Sequence, residues 1–259
     1  MKTWFITGVS SGFGREMATR LLSRGDRVAG TIRRAGSAGD LRDRLWLRQL
    51  DVTDLPLVRE VVDAAFAELG RIDVVVMNAG YGLFGAAEEV SDEQVRHQLD
   101  TNLLGSIQTA RAALPHLRAQ GGGRLIQLSS VAGLTAFPGA SIYHASKWGV
   151  EGFIEALAGE VAPFGIGVTL VEPGGARTEF ARGSLRTGTP LSAYDNTPAA
   201  FVRGLRDGSV EIPGDPGEYA ARVIASADVE PAPLRLVLGD DSYAGVTAAL
   251  RNRLAGVEA

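Results

Sequence analysis

The stretch Thr3-Trp4-Phe5-Ile6-Thr7-Gly8-Val9-Ser10-Ser11-Gly12-Phe13-Gly14 decides the fold of this chain. Its first five residues are apolar or β-branched and predict a short buried strand. A glycine-rich turn follows, and Arg15–Ser23 then predicts a helix that ends at Gly25. Strand, glycine-rich turn and helix in this order are the context required of a dinucleotide-binding turn.

The glycine spacing of this turn is Gly-x-x-x-Gly-x-Gly rather than the commoner Gly-x-Gly-x-x-Gly, but the physical argument is the same. Missing side chains let the backbone approach a pyrophosphate, and the start of the helix offers free N–H groups and a positive dipole end. Two serines add hydroxyl donors. The alternative is a tight turn without a ligand. The predicted cofactor contacts in the turn are Gly8, Ser10, Ser11, Gly12, Phe13 and Gly14.

Strands and helices alternate along the rest of the chain. Further strands are predicted at Arg27–Ile32, Arg48–Leu50, Asp73–Met77, Arg124–Leu128, Gly167–Val171 and Leu234–Leu238. Further helices are predicted at Leu41–Leu47, Val58–Leu69, Asp92–Thr101, Leu103–Ala119 and Tyr243–Leu254, with one more around Tyr143. This alternation predicts an α/β fold, a single-domain Rossmann-like doubly wound parallel sheet of about seven strands with helices on both faces, over residues 1–259.

Composition excludes several classes of function. The chain has 259 residues, a net charge of −4 and no cysteine. The charge argues against nucleic acid as a partner, and the missing thiols rule out disulfides and thiolate metal sites. Three scattered histidines predict no metal site. The start of the chain lacks the apolar core of a signal peptide, and no run approaches ~20 apolar residues, so we expect a cytoplasmic protein without membrane contact.

One segment, at about 175–214, interrupts the rhythm of strands and helices. It is rich in glycine, proline, threonine and arginine. Loops of such length are usually functional lids or disordered. We therefore expect this segment to cover a substrate.

Tyr143 and Lys147 stand four residues apart, so a helix places them on one face. Tyrosine titrates near pH ~10 in water, and a nearby ammonium favours the phenolate and can lower that pKa. Tyr143 could then exchange a proton with a carbonyl or alcohol oxygen, which a hydroxyl of Ser129 or Ser130 could hold. The alternative is a core tyrosine beside a lysine that extends to solvent.

The end of the second predicted strand carries Arg33 and Arg34 where binders of the non-phosphorylated cofactor place an acid. Arginine forks suit a 2′-phosphate. The pair therefore predicts NADP as the cofactor, with NAD as the alternative, unless it is only a solvated charged turn.

These motifs together resemble the classical short-chain dehydrogenases/reductases, from residue 3 to about residue 180. The matching positions, in the family's order and spacing, are Thr7-Gly8-x-x-x-Gly12-x-Gly14, Asp51-Val52, Asn78-Ala79-Gly80, Asn102, Ser130, Tyr143-x-x-x-Lys147 and Pro173-Gly174 with Thr178. The resemblance implies an enzyme that moves hydride between nicotinamide and a carbonyl or secondary alcohol. A nucleotide-sensing regulator on the same fold and an isomerase or lyase of this family are the alternatives.

The resemblance also implies a role for each position. Asp51 and Val52 would contact adenine, and Asn78-Ala79-Gly80 would line the adenosine side and steady the sheet. Pro173, Gly174 and Thr178 would lie on the nicotinamide side.

The catalytic set implied by the resemblance has four members. Tyr143 would transfer the proton, and Lys147 would lower its pKa and bind the ribose. Asn102 would bend its helix and hold a water near the lysine. Ser130, rather than Ser129, is the matching serine, because it lies thirteen residues before Tyr143.

Aromatic and aliphatic side chains near these motifs suggest an apolar pocket for a hydrophobic substrate. The candidates are Phe84, Leu134, Phe137 and Phe180. A second face of the Tyr143 helix carries only small residues: Ala145, Gly149, Gly152, Ala156 and Gly159. Small residues let another helix approach closely, and the family commonly pairs these helices, so we expect a homodimer or homotetramer.

Overall fold

The order of strands and helices follows the predicted alternation. The computed structural model describes residues 1–178, 184–204 and 212–258. The strands are β1 (Thr3–Ile6), β2 (Arg27–Ile32), β3 (Trp46–Gln49), β4 (Val74–Met77), β5 (Gly82–Phe84), β6 (Gly123–Leu128), β7 (Ile166–Pro173), β8 (Leu185–Thr187) and β9 (Arg235–Leu238). The helices of eight or more residues are α1 (Gly12–Ser23), α2 (Leu55–Leu69), α3 (Asp92–Leu99), α4 (Gly105–Ala119), α5 (Ser141–Val161), α6 (Pro216–Ser226) and α7 (Asp240–Glu258).

Seven of these strands form one parallel sheet in the order β3-β2-β1-β4-β6-β7-β9. The predicted α/β class and doubly wound sheet are confirmed. The chain order reverses between β1 and β4, and in open parallel sheets ligands bind beyond the carboxyl ends of the strands at such a switch point. The turn after β1 and the Asn78 motif after β4 both lie there.

Alternate side chains of the central strands enter two separate cores. Phe5, Val75 and Leu125 pack in the core that α2, α4 and α5 cover. Their neighbours Trp4, Val76 and Ile126 pack in the core that α1 and α6 cover. This period of two, with both sets apolar, is the expected pattern of a parallel strand that helices cover on each face.

A second, two-stranded sheet joins β5 to β8, with Leu83 opposite Arg186. Strand β5 follows the Asn78 motif closely, whereas β8 belongs to the segment at about 175–214. The parallel pairing therefore holds part of that segment beside the carboxyl edge of the main sheet.

The predicted helix at Leu41–Leu47 is wrong. Only a single turn forms at Gly39–Leu41, and β3 begins at Trp46, two residues before the predicted strand. Trp46 and Leu47 pair with Ala29 and Gly30 of β2. Sheet pairing outweighs the helical preference of so short a segment, since most helical stability comes from packing an apolar face.

Helix α6 was not predicted, although its start carries recognisable signals. The Asp215 side chain accepts a hydrogen bond from the backbone N–H of Glu218, and Pro216 occupies the first helical position. Tyr219 and Val223 bury one face of the helix against α1. Within the described ranges, none of the helices has the length and apolar character to cross a bilayer.

Candidate active site

Where the turn after β1 enters α1, the packing around Gly14 leaves no space for a side chain. A Cβ on Gly14 would lie 2.1 Å from the carbonyl oxygen of Gly8 and 2.5 Å from Nδ2 of Asn78. Gly8 itself has a φ of +76°, a left-handed conformation that favours glycine. Its N–H donates to Oγ1 of Thr31 at 3.2 Å, which anchors the turn to β2.

Asn78 connects the ends of β1 and β4. Its side-chain amide donates to the carbonyl oxygens of Thr7 at 2.8 Å and Gly8 at 3.0 Å. In return, the backbone N–H groups of Asn78 and Ala79 both donate to Oγ1 of Thr7 at 3.0 Å. Asn78 therefore connects the end of β4 to the glycine turn that follows β1.

The catalytic candidates Ser130, Tyr143 and Lys147 come from two neighbouring elements. Tyr143 and Lys147 lie on the first turns of α5, and both side chains are buried. Ser130 follows β6, where its Oγ accepts from the backbone N–H of Ala132 at 3.1 Å and is hydrogen-bonded to Tyr143. Nζ of Lys147 donates to the carbonyl oxygen of Leu128 at 2.9 Å and lies 5.9 Å from the centre of the Tyr143 ring.

Burial controls both proton affinities here. Desolvation raises the pKa of Tyr143 to about 12, against the opposing hydrogen bond from Ser130. Desolvation also lowers the pKa of Lys147 to about 8, against the opposing charge of Glu151. We expected the lysine to lower the pKa of the phenol; in the protein alone, burial is the largest influence and the hydrogen bond from Ser130 opposes it. The phenol is therefore protonated at neutral pH and can act as an acid.

Asn102 lies on a π-helical turn, Asp100–Leu104, between α3 and α4. Its Oδ1 accepts from the backbone N–H of Tyr81 at 3.0 Å, and its Nδ2 donates to the Tyr81 carbonyl at 2.9 Å and to Oγ of Ser146 at 3.3 Å. Ser146 stands between Tyr143 and Lys147 on α5. Asn102 thus links the segment after β4 to the catalytic helix.

One cavity of about 630 Å³ runs along the carboxyl ends of the central strands. Its volume suits a cofactor-sized ligand. Among the predicted site residues, those that line it are Gly8, Ser10, Ser11, Gly12, Phe13, Arg33, Arg34, Asp51, Val52, Asn78, Ala79, Gly80, Phe84, Ser130, Phe137, Tyr143, Lys147, Pro173, Gly174 and Thr178.

Among the described residues, three predicted site residues do not line this cavity. Gly14 and Asn102 are buried beside it, where they support the residues that do. Leu134, predicted to contact the substrate, is buried elsewhere and offers its carbonyl oxygen to Arg253 of α7. The prediction for Phe180 lies outside the described residues.

The end of the cavity near Tyr143 is apolar. The Phe84 ring meets the Tyr143 ring edge-on, with 5.7 Å between centroids, and Phe137 packs edge-on against Phe84 at 6.4 Å. Val202 and Leu185 join the same cluster. Both come from the segment at about 175–214, whose contacts the sequence did not predict individually.

The opposite end of the cavity carries the adenosine-side candidates. The Asp51 carboxylate accepts from the backbone N–H and the hydroxyl of Thr53 at 3.0 and 2.8 Å. Val52 packs so closely on α4 that a Cβ on Gly105 would lie 2.9 Å from its side chain. Arg33 and Arg34 are exposed at the rim.

Several cavity residues were missed by the sequence reasoning. Thr31 holds the glycine turn, and the Leu128 carbonyl holds Lys147, but a backbone acceptor leaves no sequence signal. Asp241 lies at the start of α7, and its carboxylate accepts from the backbone N–H of Gly175 at 3.0 Å. The acidic pair Asp240-Asp241 after Gly239 is a typical helix start and could have been recognised.

These features define a nucleotide-binding cavity with a tyrosine, lysine and serine at one end. The chain belongs to the short-chain dehydrogenase family, whose model matches residues 2–187. It is 39% identical over 254 residues to the oxidoreductase BOA17 of Botryotinia fuckeliana, covering 95% of this chain and 93% of that protein. It is 42% identical over 203 residues to a 3-ketodihydrosphingosine reductase of Bacteroides thetaiotaomicron, covering 78% of this chain and 73% of that protein.

Solved structures agree with this assignment. A short-chain dehydrogenase from Streptomyces avermitilis superposes with a TM-score of 0.92 at 39% identity, covering 99% of this chain and 94% of that chain. A serine dehydrogenase solved in its closed form with NADP⁺ superposes with a TM-score of 0.76 at 26% identity, covering 91% and 93%.

The cavity fits a dinucleotide on its own geometry. The turn at Gly8–Gly14 presents backbone without side chains at the start of α1, where a pyrophosphate would gain N–H donors and the helix dipole. Within the described ranges, the histidine and carboxylate side chains form no cluster of three or more that could hold a metal ion.

Proposed function

We propose that this protein is an NADP-dependent oxidoreductase that transfers hydride between nicotinamide and a carbonyl or secondary alcohol of a hydrophobic substrate. The observation that carries the proposal is the cluster of Ser130, Tyr143 and Lys147 in the cavity that also contains the glycine turn. A sensor of nucleotides needs the turn but has no use for a buried proton donor.

The chemistry of the site divides between cofactor and chain. A bound nicotinamide supplies or accepts the hydride. During reduction, the hydroxyls of Ser130 and Tyr143 both donate hydrogen bonds to the substrate oxygen, and Tyr143 transfers its proton to that oxygen. The Lys147 ammonium stabilises the phenolate that remains. In oxidation, the phenolate takes the proton back from the alcohol.

An apolar substrate suits the surroundings of Tyr143. Phe84 and Phe137 form the cavity wall beside the phenol, and Val202 packs in the same apolar cluster. Of the arginines that line the cavity, Arg33 and Arg34 lie on the adenosine side, and Arg186 stacks on the Tyr81 ring at 4.9 Å. We propose that the segment at about 175–214 covers this substrate. One relative bears the name of a reductase of a keto compound, 3-ketodihydrosphingosine.

The direct test mixes the protein with NADPH and a panel of ketones and aldehydes. Loss of the reduced cofactor, dependent on one of the carbonyl compounds, is the expected result. Tight NADPH binding with no turnover across apolar and polar carbonyls would instead support the nucleotide-sensing alternative.

Cofactor preference is expected to depend on Arg33. Ile32 ends β2 where an acid could repel a phosphate, and Arg33 follows at the rim of the cavity. A charge-assisted hydrogen bond is worth about 1.5–3 kcal/mol, or about ten- to a hundredfold in affinity. We expect the wild type to favour NADPH in kcat/KM, and Arg33→Ala to lose about that factor with NADPH only.

The control for this prediction is Arg42→Ala. Arg42 is also exposed and near β2 but does not line the cavity, so its loss should leave the cofactor ratio unchanged. A wild type that prefers NADH, or an Arg33→Ala variant that loses both cofactors equally, would show that Arg33 is only a surface charge.

We also propose that the protein is a homodimer or homotetramer through α5. Ala145, Gly152, Ala156 and Gly159 are exposed on this helix, and a Cβ on Gly152 or Gly159 would meet no atom within 4 Å. Light scattering should give two or four times the chain mass of 27.2 kDa. Gly152→Arg should reduce that mass because its long charged side chain would keep the second helix away, whereas Gly256→Arg on α7 should not. A 27.2 kDa species alone at micromolar wild-type concentration would contradict the proposal.

A further inference from the structure

A group of buried charges lies next to Lys147 but outside the cavity. Glu151 on α5 and Glu172 on β7 are buried, and both accept hydrogen bonds from the same nitrogen, Nη1 of Arg235 on β9, at 2.7 Å for Glu151. The other terminal nitrogen of Arg235 donates to the exposed Glu155 at 2.8 Å. The mechanism above uses none of these residues. Burying a charge costs free energy, and buried charged groups often belong to functional sites.

Glu151 stands one helical turn after Lys147 on the buried face of α5. The ammonium of Lys147 rests on the Leu128 carbonyl, and Ser129 is the next residue along. Oγ of Ser129 and Oε1 of Glu151 lie 2.6 and 2.7 Å from the position that a Cβ on Gly133 would occupy. The Glu151 carboxylate is therefore next to the strand end that holds the ammonium.

The guanidinium of Arg235 contacts only one oxygen of this carboxylate. Oε2 of Glu151 pairs with Arg235, but Oε1 is buried without a hydrogen-bond partner in the described part of the chain. The negative charge is shared by both oxygens, and in a low-dielectric interior it acts strongly on an ammonium one helical turn away.

We propose that Glu151 is a positioning residue whose buried carboxylate, held in place by Arg235, keeps the Lys147 ammonium charged for proton transfer by Tyr143. The inference rests on the proposed function, because it needs Lys147 to work as a cation beside the phenol. This role explains why charged residues are buried here. If these positions only supported the fold, apolar side chains could occupy them.

The charges that face Glu151 come from three elements: Lys147 and Glu155 on α5, Glu172 on β7 and Arg235 on β9. Burial raises the pKa of Glu172 to about 7, and the charge of Glu151 adds to that rise. Both carboxylates share Nη1 of Arg235, so the protonation of Glu172 affects the charge around that guanidinium.

The sign of the expected effect follows from the pKa of Lys147, which burial lowers to about 8 and the charge of Glu151 holds up. Glu151→Gln removes that charge, so the pKa of Lys147 falls further and the ammonium is lost at a lower pH. The loss of this one neighbouring opposite charge should lower the pKa of Lys147 by about one unit.

The test is the pH profile of kcat for ketone reduction by the full chain with saturating NADPH. In the wild type, kcat should fall as the pH rises past the pKa of Lys147. In Glu151→Gln this alkaline limb of the profile should lie about one pH unit lower. Glu155→Gln is the matched control, since it removes an exposed carboxylate from the same arginine and should leave the limb in place.

A second variant and a second readout keep the outcome interpretable. Glu151→Asp retains the charge but shortens the side chain, so its limb should lie between the other two; it replaces Glu151→Gln if that variant fails to fold. NADPH affinity against pH, measured by fluorescence, should shift in the same direction. The inference would be overturned if folded Glu151→Gln or Glu151→Asp had its alkaline limb at the wild-type pH. It would also be overturned if Glu155→Gln shifted that limb as far as Glu151→Gln does. A wild type without any carbonyl turnover would instead reject the proposed function.

Discussion

Tyr143→Phe is expected to lower kcat for carbonyl reduction by about 10²- to 10⁴-fold, the range that general acid catalysis contributes. The substitution removes only the transferable proton and the hydrogen bond to Ser130. The ring stays in its edge-on contact with Phe84 at 5.7 Å, so the fold and the apolar wall should persist. NADPH affinity should change little, because Lys147 and the glycine turn remain.

Stopped-flow or steady-state loss of NADPH absorbance measures the rate, and fluorescence titration measures cofactor affinity. Tyr219→Phe is a suitable control, since Tyr219 is another buried tyrosine but packs between α1 and α6 outside the cavity. It should retain wild-type kcat. Substantial turnover by Tyr143→Phe on a substrate that the wild type reduces well would reject Tyr143 as the acid.

The protonation state of Tyr143 has a further consequence for this mechanism. Burial raises its pKa to about 12 in the protein alone, so the phenol is the dominant form near neutral pH, and this is the form that can give a proton to a carbonyl oxygen. Oxidation of an alcohol needs the phenolate, so it must gain from a high pH or from added positive charge in the site. Lys147, whose Nζ lies 5.9 Å from the centre of the Tyr143 ring, is a cation placed to stabilise that phenolate.

Local patterns predicted much of the fold. The strand β2 was predicted with its observed bounds because five apolar or small residues, Val28–Ile32, follow Arg27 directly after the turn at Gly25-Asp26. The parallel sheet with helices on both faces followed from the alternation of strand and helix. The segment Leu41–Leu47 failed because its identity depends on pairing with β2, a contact between residues distant in sequence.

The candidate site was predictable where a residue type and a spacing carry the chemistry, as for Tyr143 and Lys147. It was not predictable where the partner is a backbone atom or comes from a distant segment. The Leu128 carbonyl that holds Lys147 has no sequence signature. Likewise, Arg235 of β9 pairs with Glu151 of α5, and no sequence pattern indicates this contact because it depends on β9 lying beside β7 in the sheet. The pKa of Tyr143 was not predictable either, because it depends on how deeply the folded chain buries the phenol.

The glycine turn shows how strictly local packing can prepare a cofactor site. Gly14 faces the carbonyl oxygen of Gly8, and the Asn78 amide donates to that same oxygen at 3.0 Å. Any side chain at position 14 would enter this contact. Because one partner is backbone, it cannot rotate away as a flexible side chain would.

Gly14→Ala is accordingly expected to have the largest effect on stability and cofactor binding together. Its methyl group would lie 2.1 Å from the Gly8 oxygen, so the turn must open and break the Asn78 hydrogen bonds. Overpacking costs about 1–3 kcal/mol, and each lost hydrogen bond costs about 1 kcal/mol. A chain of this size should then lose roughly 4–10 °C in Tm.

NADPH affinity should fall with stability in this variant, because the opened turn no longer presents its N–H groups to the pyrophosphate. Calorimetry and fluorescence titration measure the two effects on one sample. Gly256→Ala is the control: Gly256 lies on α7 with no atom within 4 Å of its Cβ position, and alanine there favours the helix by up to about 1 kcal/mol. A Gly14→Ala protein with the Tm and NADPH affinity of wild type would mean that the turn can yield without cost, and the close contact between Gly8 and Gly14 would then have no part in binding the cofactor.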